Sequence, residues 1–299
     1  MTIRGRSSGR LGLAGLIAAV TLSPCLSASA AETTYQRLLN APGEPQNWLM
    51  RMGSYSNWNH SALTQINKTN VANLKVKFMA SLSDPNRPSR GNQYFTPLVE
   101  DGFLYVGNQY QQYWKFDVRD EKPKQVWKFD AKVQGGGQSL HSVALLGNNM
   151  YINTGRDSPN PRLIAVDKNS GEAVFDVSTA VDGRAGSGHS AAPLAAKDKI
   201  LVGSTGRDES GRGYVTAYSA DTGKLLWRFS VVPEPGQPGS ETWADPRTIP
   251  FGGGVWTEPS YDPETNLAYF GTGNPVHMFD PQGRPGAARS LRSMSIPAS

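Results

Sequence analysis

The chain has 299 residues, of which 32 are Gly, 21 are Pro and only 18% are charged. So few charges exclude a self-repelling disordered polymer, and so much Gly and Pro suits short strands joined by many turns. The net charge of +5 rests on Arg4, Arg6 and Arg10, since without those three 27 basic residues face 25 acidic ones. That balance gives no basic surface for nucleic acid or for an anionic membrane.

Those three arginines, the apolar stretch Leu11 to Leu22 and the small residues Ala28-Ser-Ala30 follow the order of a secretory signal peptide. Residues 1–30 are therefore expected to direct export, which places the mature protein in the periplasm. The apolar stretch is too short to persist as a transmembrane helix, and none is expected elsewhere. Leu22-Ser-Pro-Cys25 offers lipid attachment as a second route, although Pro24 stands where a small residue is preferred. Cys25 is the single cysteine, so the exported chain has no disulfide of its own.

Beyond residue 31 the pattern is β, apart from Asn67 to Leu74, which has room for one or two helical turns. Four segments read as strand, tight turn, strand: residues 96–107, 142–153, 192–203 and 258–271. Asp101-Gly102, Asn148-Asn149 and Asp198-Lys199 supply turn residues between β-branched and aromatic runs. A second pattern follows three of these hairpins. Asp167-Lys-Asn-Ser-Gly-Glu-Ala-Val-Phe175 and Ser219-Ala-Asp-Thr-Gly-Lys-Leu-Leu-Trp227 are two copies of one motif, with a looser copy from Trp114 to Trp127. The closing aromatics Trp127, Phe175 and Trp227 lie 48 and 52 residues apart. A period near fifty with hairpins inside it marks propeller blades, because a lone four-stranded sheet cannot bury both faces and must stack on its neighbours. The fold class is all-β, a partial β-propeller of four-stranded antiparallel blades, with each closing aromatic a wedge between blades.

Several blocks resemble the quinoprotein alcohol dehydrogenases. They are Trp48-Leu-Met-Arg-Met-Gly53, Ser61 to Asn67, Asn70 to Leu74, Arg212-Gly-Tyr214 to Trp227, and Gly252-Gly-Gly-Val-Trp-Thr257 through Tyr261-Asp-Pro263 to Gly271-Thr-Gly-Asn274. The resemblance implies a periplasmic, eight-bladed propeller that uses pyrroloquinoline quinone (PQQ) with a calcium or lanthanide ion. It covers the mature chain, residues 31–286, and implies about half of such a propeller.

It also implies site residues. Trp256 matches the tryptophan on which the cofactor stacks; as a plain propeller residue it would be another wedge. Asn274 matches a metal ligand acting through its amide oxygen, the donor a hard cation requires, although Asn is common in turns. In Gly203-Ser-Thr-Gly-Arg-Asp-Glu-Ser-Gly-Arg-Gly-Tyr214 the acidic ligand position falls on Asp208 without gaps and on Glu209 with shifts, or on neither. Ser190 and Thr154 fall near hydroxyls that contact the cofactor, where an unrelated Ser or Thr would be a turn residue. His141 replaces an Arg that contacts the quinone, and Gly135-Gly136 stand where many members carry a cysteine pair. The activity implied is oxidation of an alcohol, with electrons leaving to a c-type cytochrome or another acceptor. The family's catalytic Asp lies in a later blade, and no residue of this chain takes that role.

A rival reading is a scaffold. Propellers with the same repeat also serve as a lipoprotein subunit of the outer-membrane assembly machinery, without the cofactor residues. The tail sets a further expectation. After Pro285-Gly286 the family continues into another blade, whereas residues 287–299 carry no turn signal and no β pattern. One permitted codon choice for Ser293 to Ser299, read two nucleotides later, restores the blade motif. The tail is therefore expected to be aberrant and disordered, and the chain a fragment of an enzyme that is inactive in this form.

Overall fold

The structure is a computed structural model that describes residues 31–86, 93–133, 141–155, 160–181, 188–205, 211–233, 235–242, 252–273 and 292–295. Its strands form four antiparallel sheets, each a meander in chain order. The first holds β1 (Leu98–Glu100), β2 (Phe103–Gly107), β3 (Gln112–Asp117) and β4 (Lys124–Asp130). The second holds β5 (Ala144–Leu146), β6 (Asn149–Asn153), β7 (Arg162–Asp167) and β8 (Ala173–Ser178). The third holds β9 (Leu194–Ala196), β10 (Lys199–Gly203), β11 (Tyr214–Ser219) and β12 (Leu225–Ser230). The fourth has three described strands, β13 (Ser260–Asp262), β14 (Leu267–Phe270) and β15 (Arg292–Ser295). All-β blades are thus what the sequence forms.

In the four-stranded blades the first strands are the more buried and the fourth strands the more exposed: β5 and β9 are buried throughout, while no residue of β8 or β12 is fully buried. The first strands therefore line the inside of the stack and the fourth strands its rim. The repeat seen in the sequence recurs as hydrogen bonds. Gly171 N–H donates to the Asp167 carbonyl and Gly223 N–H to that of Ser219, each at 2.9 Å. A bulge follows Lys115, Ala165 and Ala217, at the same place in three blades.

Two of the closing aromatics, Trp127 and Phe175, act as the wedges expected of them. A Cβ on Gly171 would meet the Trp127 ring at 2.6 Å, and one on Gly223 would meet Phe175 at 2.8 Å. Each aromatic thus lies on the turn glycine of the next blade, and both glycines hold a positive φ that a side chain would strain. Trp127 Nε1 also donates to the Lys168 carbonyl across that joint at 2.9 Å.

Three local expectations are adjusted. The hairpin loops lie at Gly147-Asn148 and Lys197-Asp198, one residue earlier than the dipeptides suggested. A one-residue slip would turn every side chain of these short strands to the opposite face, so burial fixes the register over local turn preference. Helix α1 (Tyr35–Leu39), with Thr34 Oγ1 accepting from Arg37 N–H, is too short to show a period in sequence. Arg292–Ser295, in the tail expected to be disordered, forms β15 beside β14. An edge strand offers a row of backbone donors and acceptors, and any extended segment can satisfy them without a β-favouring sequence.

Candidate functional site

The site follows from the topology. His141 precedes β5 and Thr154 follows β6; antiparallel pairing brings the start of one strand to the end of the other, so both lie at the same end of the blade. By the same logic Ser190 and Thr205 share that end of the third blade, and Glu258 and Gly273 that end of the fourth. Backbone bonds join these openings: Thr96 N–H donates to the His141 carbonyl at 2.8 Å and His141 N–H to that of Ser190 at 3.0 Å. The opening segment lies against the same inner strands. Trp48 pairs with Val99, Tyr55 Oη donates to the Ala195 carbonyl at 2.7 Å, and Asn57 Nδ2 donates to the Pro259 carbonyl at 3.0 Å.

Trp256 stands on this face because three glycines let the backbone cross the third blade closely. Gly213 N–H donates to the Gly252 carbonyl at 2.8 Å, and a Cβ on Gly213 would lie 1.7 Å from the Gly253 carbonyl oxygen. No other residue fits there. Val255 then donates to the Ser204 carbonyl at 2.6 Å and is buried, while Trp256, next in the chain, is 51% exposed. Its indole is therefore not a wedge like Trp127. A Cβ on Gly273 would meet Trp256 Nε1 at 3.1 Å, so that glycine keeps the ring's edge clear.

A charged cluster stands on the same face. Glu258 Oε1 pairs with His141 Nδ1 at 2.6 Å, and Glu258 Oε2 with Arg51 Nη1 at 2.7 Å. Burial pushes the Glu258 carboxyl up, but His141 and Arg51 outweigh it and hold the group below its usual value. Beneath lies a cleft lined by Met50, Tyr55, Val143, Leu194 and Pro259, apolar below and charged at its rim. Arg51 and Glu258 were not singled out in the sequence. Arg51 lies inside the Trp48–Gly53 block and Glu258 two residues beyond Trp256, so position was the only signal available.

The other candidates divide. Ser190 is half-buried on the face. Thr154 is fully buried, and its Oγ1 accepts from Arg162 N–H at 2.7 Å, so its hydroxyl closes a strand connection. Asp208, Glu209 and Asn274 lie outside the described residues, as do Gly135 and Gly136; their described flanks Thr205, Gly211 and Gly273 are on this face. Among the described residues no three His, Cys, Asp or Glu side chains gather as a metal site, and no helix is long and apolar enough to cross a membrane. The face thus combines an open aromatic plane, the Arg51 guanidinium, the His141 imidazole and glycine-lined backbone. That set suits a flat, anionic ring system.

Comparison with known proteins agrees. Residues 48–293 match the PQQ family described as "glucose/ethanol/alcohol dehydrogenase, beta-propeller domain". The dehydrogenase subunit of a quinone alcohol dehydrogenase from Gluconacetobacter polyoxogenes is 32% identical, over 90% of this chain and 39% of its own length. Subunit 1 of the methanol dehydrogenase (cytochrome c) of Methylobacterium organophilum is 30% identical, over 87% of this chain and 45% of its own. The crystal structure of a quinohemoprotein alcohol dehydrogenase from Comamonas testosteroni superposes with a TM-score of 0.73 at 27% identity, covering 89% of this chain and 42% of that one. The chain therefore spans less than half the length of these relatives.

Proposed function

This chain belongs to the PQQ-dependent alcohol dehydrogenase propeller family, and from that premise we propose that it is the N-terminal portion of a periplasmic enzyme that oxidises an alcohol to a carbonyl compound. The observation that carries the reading is the half-exposed Trp256 on a face that also holds His141, Arg51 and Ser190. PQQ with a calcium or lanthanide ion would supply the two-electron oxidant and the Lewis acid.

The residues of this chain would do the holding. Trp256 offers its indole as a stacking plane. Arg51, His141 and Ser190 offer donors to carboxylate and quinone oxygens. Asn274, with Asp208 or Glu209, would supply oxygen ligands to the ion. Thr154, at the same end of its blade, would add a hydroxyl near the cofactor, with its Oγ1 also accepting from Arg162 N–H. The cleft below Glu258 would give the site a largely apolar base. Removal of the alcohol proton and of the two electrons would fall to groups beyond this chain's matched residues: a carboxylate from another blade, and a c-type cytochrome or similar acceptor. On this reading the chain alone does not turn over.

The test is a titration of PQQ with calcium or lanthanum, followed by quenching of tryptophan fluorescence. Trp256→Ala should remove the response of that ring. Alanine at Asn274, Asp208 and Glu209 together should abolish the dependence on metal. Saturable binding that ignores all four substitutions would refute the proposal.

A further inference from the structure

Glu258 has no part in the reading above, yet it is the centre of the charged cluster. A carboxylate beside an anionic cofactor is a cost unless it acts through its neighbours. Its two oxygens are divided between His141 Nδ1 and Arg51 Nη1. Both ends of the Glu258–His141 contact are anchored to other elements. His141 is held by backbone bonds to Thr96 and Ser190, and Pro259, next to Glu258, accepts from Asn57. With both backbones fixed, the imidazole's remaining freedom is rotation and choice of tautomer. Tyr94 limits the first, meeting the ring edge-on with centroids 6.1 Å apart. Glu258 limits the second, because a carboxylate accepts and so draws the proton to Nδ1.

His189 shows what a purely structural histidine looks like in this fold. It is buried, Nδ1 lies 2.8 Å from the Gly203 carbonyl and Nε2 2.8 Å from Thr179 Oγ1, so both nitrogens are occupied. His141 is partly open, with one nitrogen tied by Glu258 and Nε2 without a partner among the described residues. That difference is what a ligand-facing ring requires.

We propose that Glu258 is a positioning residue of the cofactor site: by bridging Arg51 and His141 it fixes the imidazole so that Nε2 is the nitrogen offered to a bound quinone. The proposal rests on the PQQ reading. It is specific to a chain with histidine at this position, because a guanidinium needs no partner to choose a tautomer.

The experiment uses the full chain with ¹⁵N-labelled histidine, of which there are four, so each ring is assignable by single substitution. At pH 8 His141 should show a protonated Nδ1. Glu258→Ala should shift it towards the Nε2–H form that an unconstrained imidazole prefers, and Glu258→Gln, whose amide oxygen still accepts, should retain Nδ1–H. PQQ affinity, read by fluorescence quenching, should fall about ten- to a hundredfold in Glu258→Ala, the range for losing a partner that orients a ligand imidazole, and recover in Glu258→Gln. Unmoved His189 signals show that a variant is folded; if Glu258→Ala loses them, Glu258→Met replaces it at similar volume. A His141 ring that keeps Nδ1–H without the carboxylate overturns the proposal, and so does unchanged PQQ affinity. Absence of quenching in the unsubstituted chain overturns instead the cofactor reading on which the proposal rests.

Discussion

Two clusters in this molecule use similar parts, one acid between two basic side chains, and differ in what surrounds them. In the first, Glu100 and Lys168 are almost fully buried and pair at 2.9 Å, with Arg37 adding a bond at 3.3 Å. Thr33, from the segment before α1, donates to Glu100 and accepts from Lys168, and its backbone pairs with Gly147. In the second, Glu258, His141 and Arg51 keep 14%, 17% and 21% of their side chains exposed, on the face that also carries the 51% exposed Trp256. The first joins blades one and two to the N-terminal segment, and its only product is position. The second is partly open to solvent, and its His141 Nε2 has no partner among the described residues. Burial, not residue type, separates a clamp from a site.

The comparison is broken most severely at Glu100. Glu100→Ala leaves the Lys168 ammonium buried without its carboxylate, and burial already lowers that group's pKa. Removing one partner of a buried pair costs about 3–5 kcal/mol. Urea unfolding should show that loss. Replacing both partners, Glu100→Leu with Lys168→Met, should cost much less, because no charge is then stranded. Equal losses in the single and double variants would mean that the pair matters by shape alone.

Next in size is His189. Burial pushes its pKa down to about 4 against an ordinary value near 6.5, with the Gly203 carbonyl opposing. The unfolded chain therefore binds a proton between those values and the folded chain does not. Stability from this group is complete above pH 6.5, falls as pH drops towards 4, and is level below. The span corresponds to about 3 kcal/mol as an upper bound. Unfolding curves across that window should show the slope, and His189→Gln should flatten it.

Gly213→Ala follows. The added methyl must displace the Gly253 carbonyl, a backbone atom that cannot rotate away. Overpacking of this kind costs about 1–3 kcal/mol. It should also disturb Trp256, since the Gly252–Gly254 crossing delivers that ring to the face. A variant that loses stability but quenches normally with PQQ would separate the crossing from the site.

How much of this was legible depended on whether the signal was local. The blades were readable because their strands alternate, and because Gly171 and Gly223 recur at a fixed distance from an aromatic. Trp256 was readable as different from Trp127 because it precedes its hairpin instead of closing a blade. Hairpin registers were off by one at Gly147 and Lys197, where burial across strands decides and the dipeptide does not. The Glu258 cluster was not readable at all: Arg51, His141 and Glu258 come from three separate segments, and only the ring of inner strands brings them together. Likewise nothing in residues 292–295 suggested a strand, because the open edge of β14 lies elsewhere in the chain.

The smallest expected effect is the one that sharpens the comparison most. Glu258→Ala should cost the fold less than Glu100→Ala, because its cluster keeps 14%, 17% and 21% of its side chains exposed where Glu100 and Lys168 keep 0% and 1%. Arg51 and His141 both keep part of their side chains exposed, so water can reach each of them once the carboxylate is gone. Lys168 in the first cluster cannot turn to water, being 1% exposed with Glu100, Thr33 and the Ala31 carbonyl as its partners, so losing the carboxylate either strands its charge or forces off its proton. The measurement is a pair of urea curves at pH 7.5, Glu100→Ala beside Glu258→Ala. If the second loses as much stability as the first, the Glu258 cluster is a clamp like its counterpart and the distinction between clamp and site falls.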